Sequence, residues 1–142
     1  MLTLPDAQII VTAALAHSRA QKFQPMAVVV LDARGVLKAA GIEDGTSLKR
    51  AEIATGKAFG AIALGMGSRS LAKAAADRPQ FVIAVTHAVG GSLIPVPGGV
   101  LIRDAGGAIL GAVGISGDNS DNDEAAAVAG IAATTMTADP GA

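Results

Sequence analysis

The chain has 142 residues, 51% of them hydrophobic but only three aromatic, all Phe, and a formal net charge of −1. A domain of this length buries roughly 70% of the surface its unfolded chain exposes, and a near-neutral charge without a Lys or Arg stripe offers no electrostatic footing for nucleic acid. Apolar stretches are broken by Gly, Lys or Arg well before the roughly 20 residues of a membrane span, so none is expected.

In chain order, Thr3-x-x-Asp6 opens a helix expected from Leu4 to Lys22, with Asp standing where Glu completes a capping box. Ile9, Ile10, Ala13, Ala14 and His17 fall on one side of it. Met26 to Leu31 reads as a fully apolar strand, Asp32 to Gly35 as a turn and Val36 to Ala40 as the hairpin partner. Glu43, Asp44 and Gly45 form a loop, after which Thr46 or Ser47 caps a helix reaching Leu64, with Gly65 as its stop. Ser68 to Asp77 is a third helix, ended by Pro79. Phe81 to Val89 stands open between strand and short helix, because F-V-I-A-V is β-like.

Gly98 and Gly99 then precede a strand from Val100 to Arg103, Gly106 and Gly107 make a tight turn, and a strand runs from Ala108 to Ser116. Gly111, Gly114 and Gly117 strip side chains from that region, which predicts a very close neighbour, either a helix or a ligand. A last helix is expected from Asn122 to Thr135, and Ala138 to Ala142 is expected to fray. The order α-β-β-α-α-(α)-β-β-β-α, with no linker or repeat, predicts one α+β domain over residues 1–142: an antiparallel sheet of about five strands with helices packed on it. Small Ala and Gly side chains cover little area each, and runs such as Met26 to Leu31 need cover on both faces, so a homo-oligomer is expected.

The chemistry-bearing residues are few. The chain has no cysteine, hence no disulfide or thiolate site, which fits the cytoplasm. The first segment carries Asp6 and lacks a basic stretch leading an apolar core, so no secretory signal is expected. Ile53, Lys57, Gly60 and Leu64 recur at helical spacing and place an ammonium on an apolar face, either facing a cavity or with its stem packed and its head reaching solvent. Arg50 and Glu52 read as a solvated face. Arg69, in G-M-G-S-R-S between two helices, is placed to grip a carboxylate, whereas Arg103 is expected to pair with Asp104.

Gly98 and Gly99 either offer backbone amides to a ligand or simply make a turn. The acidic run Asp118, Asp121, Asp123 and Glu124 lacks the spacing of a calcium loop; Asp121-x-x-Glu124 fits a helix cap with an acidic first turn. No metal cluster, nucleophile elbow or Walker loop is present. On the residues alone, one reading is a cofactor-free enzyme acting on a small carboxylated metabolite, with Arg69 binding the carboxylate and Lys57, His87 or Glu52 moving a proton. Another is an accessory subunit without a site of its own.

P-G-G-V-L-I from Pro97, G-A-V-G-I-S-G followed by D-E, A-V-V-V-L-D-A-R-G from Ala27, E-D-G from Glu43 and the K-A pair at Lys57 together resemble the GlcG/HbpS-like haem-binding proteins. That family also includes the C-terminal domain of a cobalamin adenosyltransferase from propanediol metabolism. The resemblance runs from the first helix to Ile131. It implies the same α+β architecture, irregular or helical structure before the glycine loop, which favours the helix for Phe81 to Val89, and a small-ligand-binding protein with haem as a possible cofactor. Ile42 stands where the family usually has an arginine before its D-G. With no Cys or Tyr, a haem iron would need His17, His87 or a methionine among Met26, Met66 and Met136; His87, just before Gly90 and Gly91, is the first choice.

Overall fold

A computed structural model describes residues 1–142. The elements are α1 (Leu4–Ala20), β1 (Ala27–Asp32), β2 (Leu37–Ile42), α2 (Arg50–Leu64), α3 (Ser68–Asp77), α4 (Pro79–Ala88), β3 (Gly99–Arg103), β4 (Ile109–Ser116), α5 (Ser120–Ala132) and β5 (Thr137–Asp139). One sheet of order β2-β1-β4-β3-β5 holds all five strands, each neighbour antiparallel. The fold is α+β, and the open segment from Phe81 lies in helix α4. No helix is long and apolar enough to cross a membrane.

Alternation along the strands divides the core in two. Val28, Val30, Val100, Ile102, Val113 and Ile115 pack with Ile10 and Ala14 of α1 and with Ala126, Ala127 and Ile131 of α5. Val29, Leu31, Leu101 and Ala112 point the other way and meet Ala54, Ala58 and Ala61 of α2. The apolar strand β1 therefore finds cover on both faces from helices of its own chain. Helix α4, in contrast, buries only Val82 and leaves Ile83 72% and Phe81 43% exposed.

Local signals explain several ends. Thr3 Oγ1 accepts from the Asp6 amide at 3.2 Å and so caps α1 as expected, but the second half of the box differs: Asp6 Oδ2 accepts the Thr3 hydroxyl at 2.8 Å in place of the Thr3 amide. Gly65 ends α2 in the left-handed region at φ +68°, as its lack of a Cβ allows.

Four expectations need correction. The start of α2 lies at Arg50 with Lys49 at the N-cap position, not at Thr46 or Ser47, because the Ser47 hydroxyl is turned to the Arg50 guanidinium at 3.1 Å. Helix α5 starts earlier than Asn122, and its cap is Asn119, whose side chain accepts the Asn122 amide at 2.9 Å. Only two strands lie between α4 and α5. The fifth strand is β5, in the tail expected to fray: Leu101, Ile102 and Arg103 pair with it, and the Ala142 amide donates to Ser70 Oγ at 3.0 Å.

Candidate functional site

Gly99 of β3 and Gly114 of β4 are register partners on the face beneath α2. A Cβ on Gly114 would run into the carbonyl of Ala54, and one on Gly99 into the carbonyl of Lys57. At Gly114 and Gly99 the close neighbour is thus a helix, α2 resting backbone to backbone on β3 and β4. Gly111, in contrast, meets the Leu31 carbonyl of β1 and Gly117 the Pro25 carbonyl, neither of them a helix or a ligand. Gly98, at φ +120°, gives its carbonyl to the Ile115 amide at 2.9 Å, while the Gly99 amide donates to Ser68 Oγ at 2.7 Å. Both glycines are buried, and these contacts go to the chain itself.

Lys57 lies in the same layer, 2% exposed, neither open to a cavity nor reaching solvent. Its ammonium donates to the Ile115 carbonyl at 2.9 Å and to Asp123 Oδ2 at 3.1 Å. Asp123, 1% exposed on the inner face of α5, also accepts the Asp118 amide at 2.9 Å. Burial pushes the Lys57 ammonium below the ordinary lysine range, an effect that Asp123 opposes and the like charge of Arg50 adds to. Burial likewise raises the Asp123 carboxyl against the pull of Lys57. The pair ties α2, the end of β4 and α5 together, and Asp123 is the residue that sequence reading missed. A signal was present: Asp123, Ala126, Ala127, Gly130 and Ile131 form the buried face of α5 at helical spacing.

Arg69 grips carboxylates as expected, but those of its own chain: its Nε meets Glu124 Oε2 at 3.0 Å and its Nη2 meets Asp121. The two acids assigned to capping serve this ion pair, which holds the guanidinium protonated well above the usual arginine range through its hydrogen bonds to Glu124 and then Asp121. Arg103 pairs not with Asp104 but with Asp139 of β5 at 2.8 Å, and it donates to the Gly107 carbonyl at 2.9 Å. Asp104 instead accepts the amides of Gly106 and Ala108, closing the turn. Arg50 is half-buried rather than solvated.

A groove of about 710 Å³ runs along the outer flank of α2, lined among others by Lys49, Glu52, Ile53, Gly56, Gly90, Gly91 and Ile94. Gly56 and Gly60 on α2 leave room for Ile94 and Leu93, and the Ile94 amide donates to the Gly56 carbonyl at 3.1 Å, seating the Gly90–Pro97 segment across the helix. Glu52 is paired with Lys49 at 2.9 Å on the groove wall.

His87 occupies the exposed last turn of α4, and its carbonyl takes the Gly90 amide at 3.1 Å, so its turn leads directly into the glycine wall. The imidazole makes no hydrogen bond within the chain. His17 is half-buried on α1, its ring edge-on to Phe23 at 5.9 Å between centroids. Met26 is fully buried in the core, Met136 half-buried, and Met66 38% exposed.

The structure therefore brings Lys57, Gly98 and Gly99 together in the interior. Glu52 lies in the groove, the turn bearing His87 lies beside it, and Arg69 and His17 are engaged elsewhere. No group of three or more His, Asp or Glu side chains is arranged to hold a metal ion.

No curated protein shows significant similarity to the chain. Among solved structures, HbpS aligns with TM-score 0.79 and 29% identity over 92% of this chain and 88% of its own. An HbpS double mutant from Streptomyces reticuli aligns with TM-score 0.79 and 28% identity over 92% and 85%. A PduOC:heme complex shares the fold, with TM-score 0.84 and 24% identity over 95% and 96%. The model of the family described as haem degrading protein HbpS-like matches residues 2–132, and the chain belongs to that HbpS-like family.

Proposed function

We propose that the chain binds haem at the groove beside α2, with His87 as the axial ligand. The observation that carries this reading is the state of His87: an exposed imidazole without a partner in the chain, adjoining the glycine wall. Ile83 and Ala84 stand four and three residues before it on the exposed side of α4, so an apolar surface flanks the nitrogen donor. Haem suits such a place, because its macrocycle is apolar and its propionates are anionic; Lys49 is the groove cation, and a propionate would exchange for Glu52 in its exposed ion pair. When bound, haem supplies redox and ligand-binding chemistry at its iron, while these side chains hold and orient it. Membership of the HbpS-like family and the haem in the PduOC complex support the reading.

The alternative, acid–base chemistry on a small carboxylated metabolite, keeps only Glu52 and His87 as groups near the groove. Lys57 is closed in with Asp123, and Arg69 is neutralised by Asp121 and Glu124.

Haemin titration followed at the Soret band tests the proposal. The wild type should give a saturable band, and His87→Ala should shift it and weaken binding about tenfold or more, while His17→Ala and Met66→Leu do less. A band lost in His17→Ala but unchanged in His87→Ala overturns the placement and moves the ligand to α1. No saturable band at all overturns the haem reading and leaves the acid–base and accessory-subunit readings.

A further inference from the structure

Arg50, in the first turn of α2, is half-buried, and unlike the half-buried Arg69 and Arg103 it has no carboxylate partner. Its Nε donates to Ser47 Oγ at 3.1 Å and its Nη1 to Ser116 Oγ at 3.2 Å. A guanidinium carries five N–H groups, so three remain without an acceptor in the chain. Both serines accept from Arg50, and neither hydroxyl donates to any group of the protein. Ser116 is only 1% exposed, which makes an undonated hydroxyl proton there costly. On the same loop as Ser47, the Thr46 hydroxyl oxygen is buried with no partner at all.

The charges point the same way as the donors. Arg50 and Lys57 are close enough for one to act on the other, and Asp123 is the single carboxylate paired in their midst. Asp118, two residues beyond Ser116, directs its oxygens to Gln24, Asn119 and Asn122. Asp123 thus answers Lys57, and Arg50 with its two serines is left without a counter-charge.

We propose that Arg50, Ser47 and Ser116 form an oxyanion subsite that takes a carboxylate or phosphate group of a small ligand. The planar guanidinium supplies parallel N–H donors to two oxygens, and the serines, already holding it in place, can turn their protons to the same group. The subsite is independent of the groove and of haem.

The test is titration of the protein with inorganic phosphate and, separately, with acetate, ionic strength being held constant with chloride. Amide chemical shifts of Ser47, Arg50 and Ser116 and the thermal unfolding midpoint are followed. Saturable shifts at these three residues and a raised midpoint are expected; response to acetate identifies carboxylate, response to phosphate alone identifies phosphate. Arg50→Met should weaken binding about tenfold or more, Ser116→Ala several-fold, and Arg34→Met, at a distant turn, not at all. If Arg50→Met fails to fold, Arg50→Lys, which keeps the charge but cannot bridge the two serines, takes its place. A non-saturating response, or equal affinity in the Arg50 and Ser116 variants, overturns the proposal.

Discussion

Replacing Lys57 by Met keeps the bulk of the stem and leaves Asp123, 1% exposed, without its counter-charge. Breaking a buried pair from one side costs about 3–5 kcal/mol, since the survivor remains desolvated. In a chain of this length 1 kcal/mol moves the melting midpoint by about 3–4 °C, so Lys57→Met should melt about 10–20 °C below wild type. The penalty depends on pH with a definite sign. Burial already raises the Asp123 carboxyl above the ordinary carboxylate range, and loss of Lys57 raises it further. Between the ordinary range and that raised value the folded chain holds a proton that the unfolded chain has released, so stability falls as pH rises. The deficit should therefore shrink when unfolding is measured near the ordinary carboxylate range instead of at neutral pH.

Asp123→Asn reverses the sign: the stranded ammonium, lowered by burial, makes stability recover as pH rises toward the ordinary lysine range. The double variant should lie within about 1–2 kcal/mol of wild type, so that with single costs of about 3–5 kcal/mol the coupling energy is about 4 kcal/mol or more by urea unfolding. Single variants costing under about 1 kcal/mol each, with a double equal to their sum, would refute the view that these charges depend on each other.

At Gly114, even alanine places a Cβ against the Ala54 carbonyl, and Gly99→Val does the same against Lys57; each should cost about 1–3 kcal/mol or more in thermal unfolding. Gly65→Ala, in open space at φ +68°, should cost only about 1–2 kcal/mol, so the contrast separates close packing from backbone strain. Asp118 is held below the ordinary carboxylate range chiefly by the Gln24 amide. Its contribution is present above the ordinary range and lost as acid protonates it, so Asp118→Ala should flatten the acid side of the stability profile. The exposed Phe81 and Ile83 on α4 predict self-association, and light scattering should show a multimer that Ile83→Asp reduces; a wild-type monomer at micromolar concentration would remove the expectation.

Elements with a strong local signal were legible in the sequence: the capped start of α1, the apolar run of β1, the glycine stop at Gly65 and the β3–β4 hairpin. Those whose ends depend on distant partners were not. Ser47 looked like a helix cap, but its hydroxyl goes to Arg50; Asp121 and Glu124 looked like capping acids, but Arg69, more than 50 residues away, takes them. Strand β5 has three residues and no periodicity to read, and it is held by pairing with β3 and by the Arg103–Asp139 ion pair. Lys57 stood out as a charge on an apolar stripe, yet its partner is 66 positions along the chain. Only the fold shows that Ala54, Ala58 and Ala61 face the sheet while, of the stripe, Lys57 is closed in beside Asp123, Ile53 lines the groove and Gly60 meets Leu93.

Gly56 and Gly60, which admit Ile94 and Leu93, sit in the middle of α2, where each disfavours the helix by about 1 kcal/mol relative to alanine. Ile53, Thr55 and Ile62 add the rotamer restriction of β-branched side chains. Cut free of its surroundings, this fifteen-residue segment would be mostly coil in water. Its helical state is imposed by the sheet beneath it and the Gly90–Pro97 segment across it, so α2 cannot fray independently through its centre. Its central amides should therefore exchange with solvent about as slowly as those of the sheet, which hydrogen-exchange protection would check.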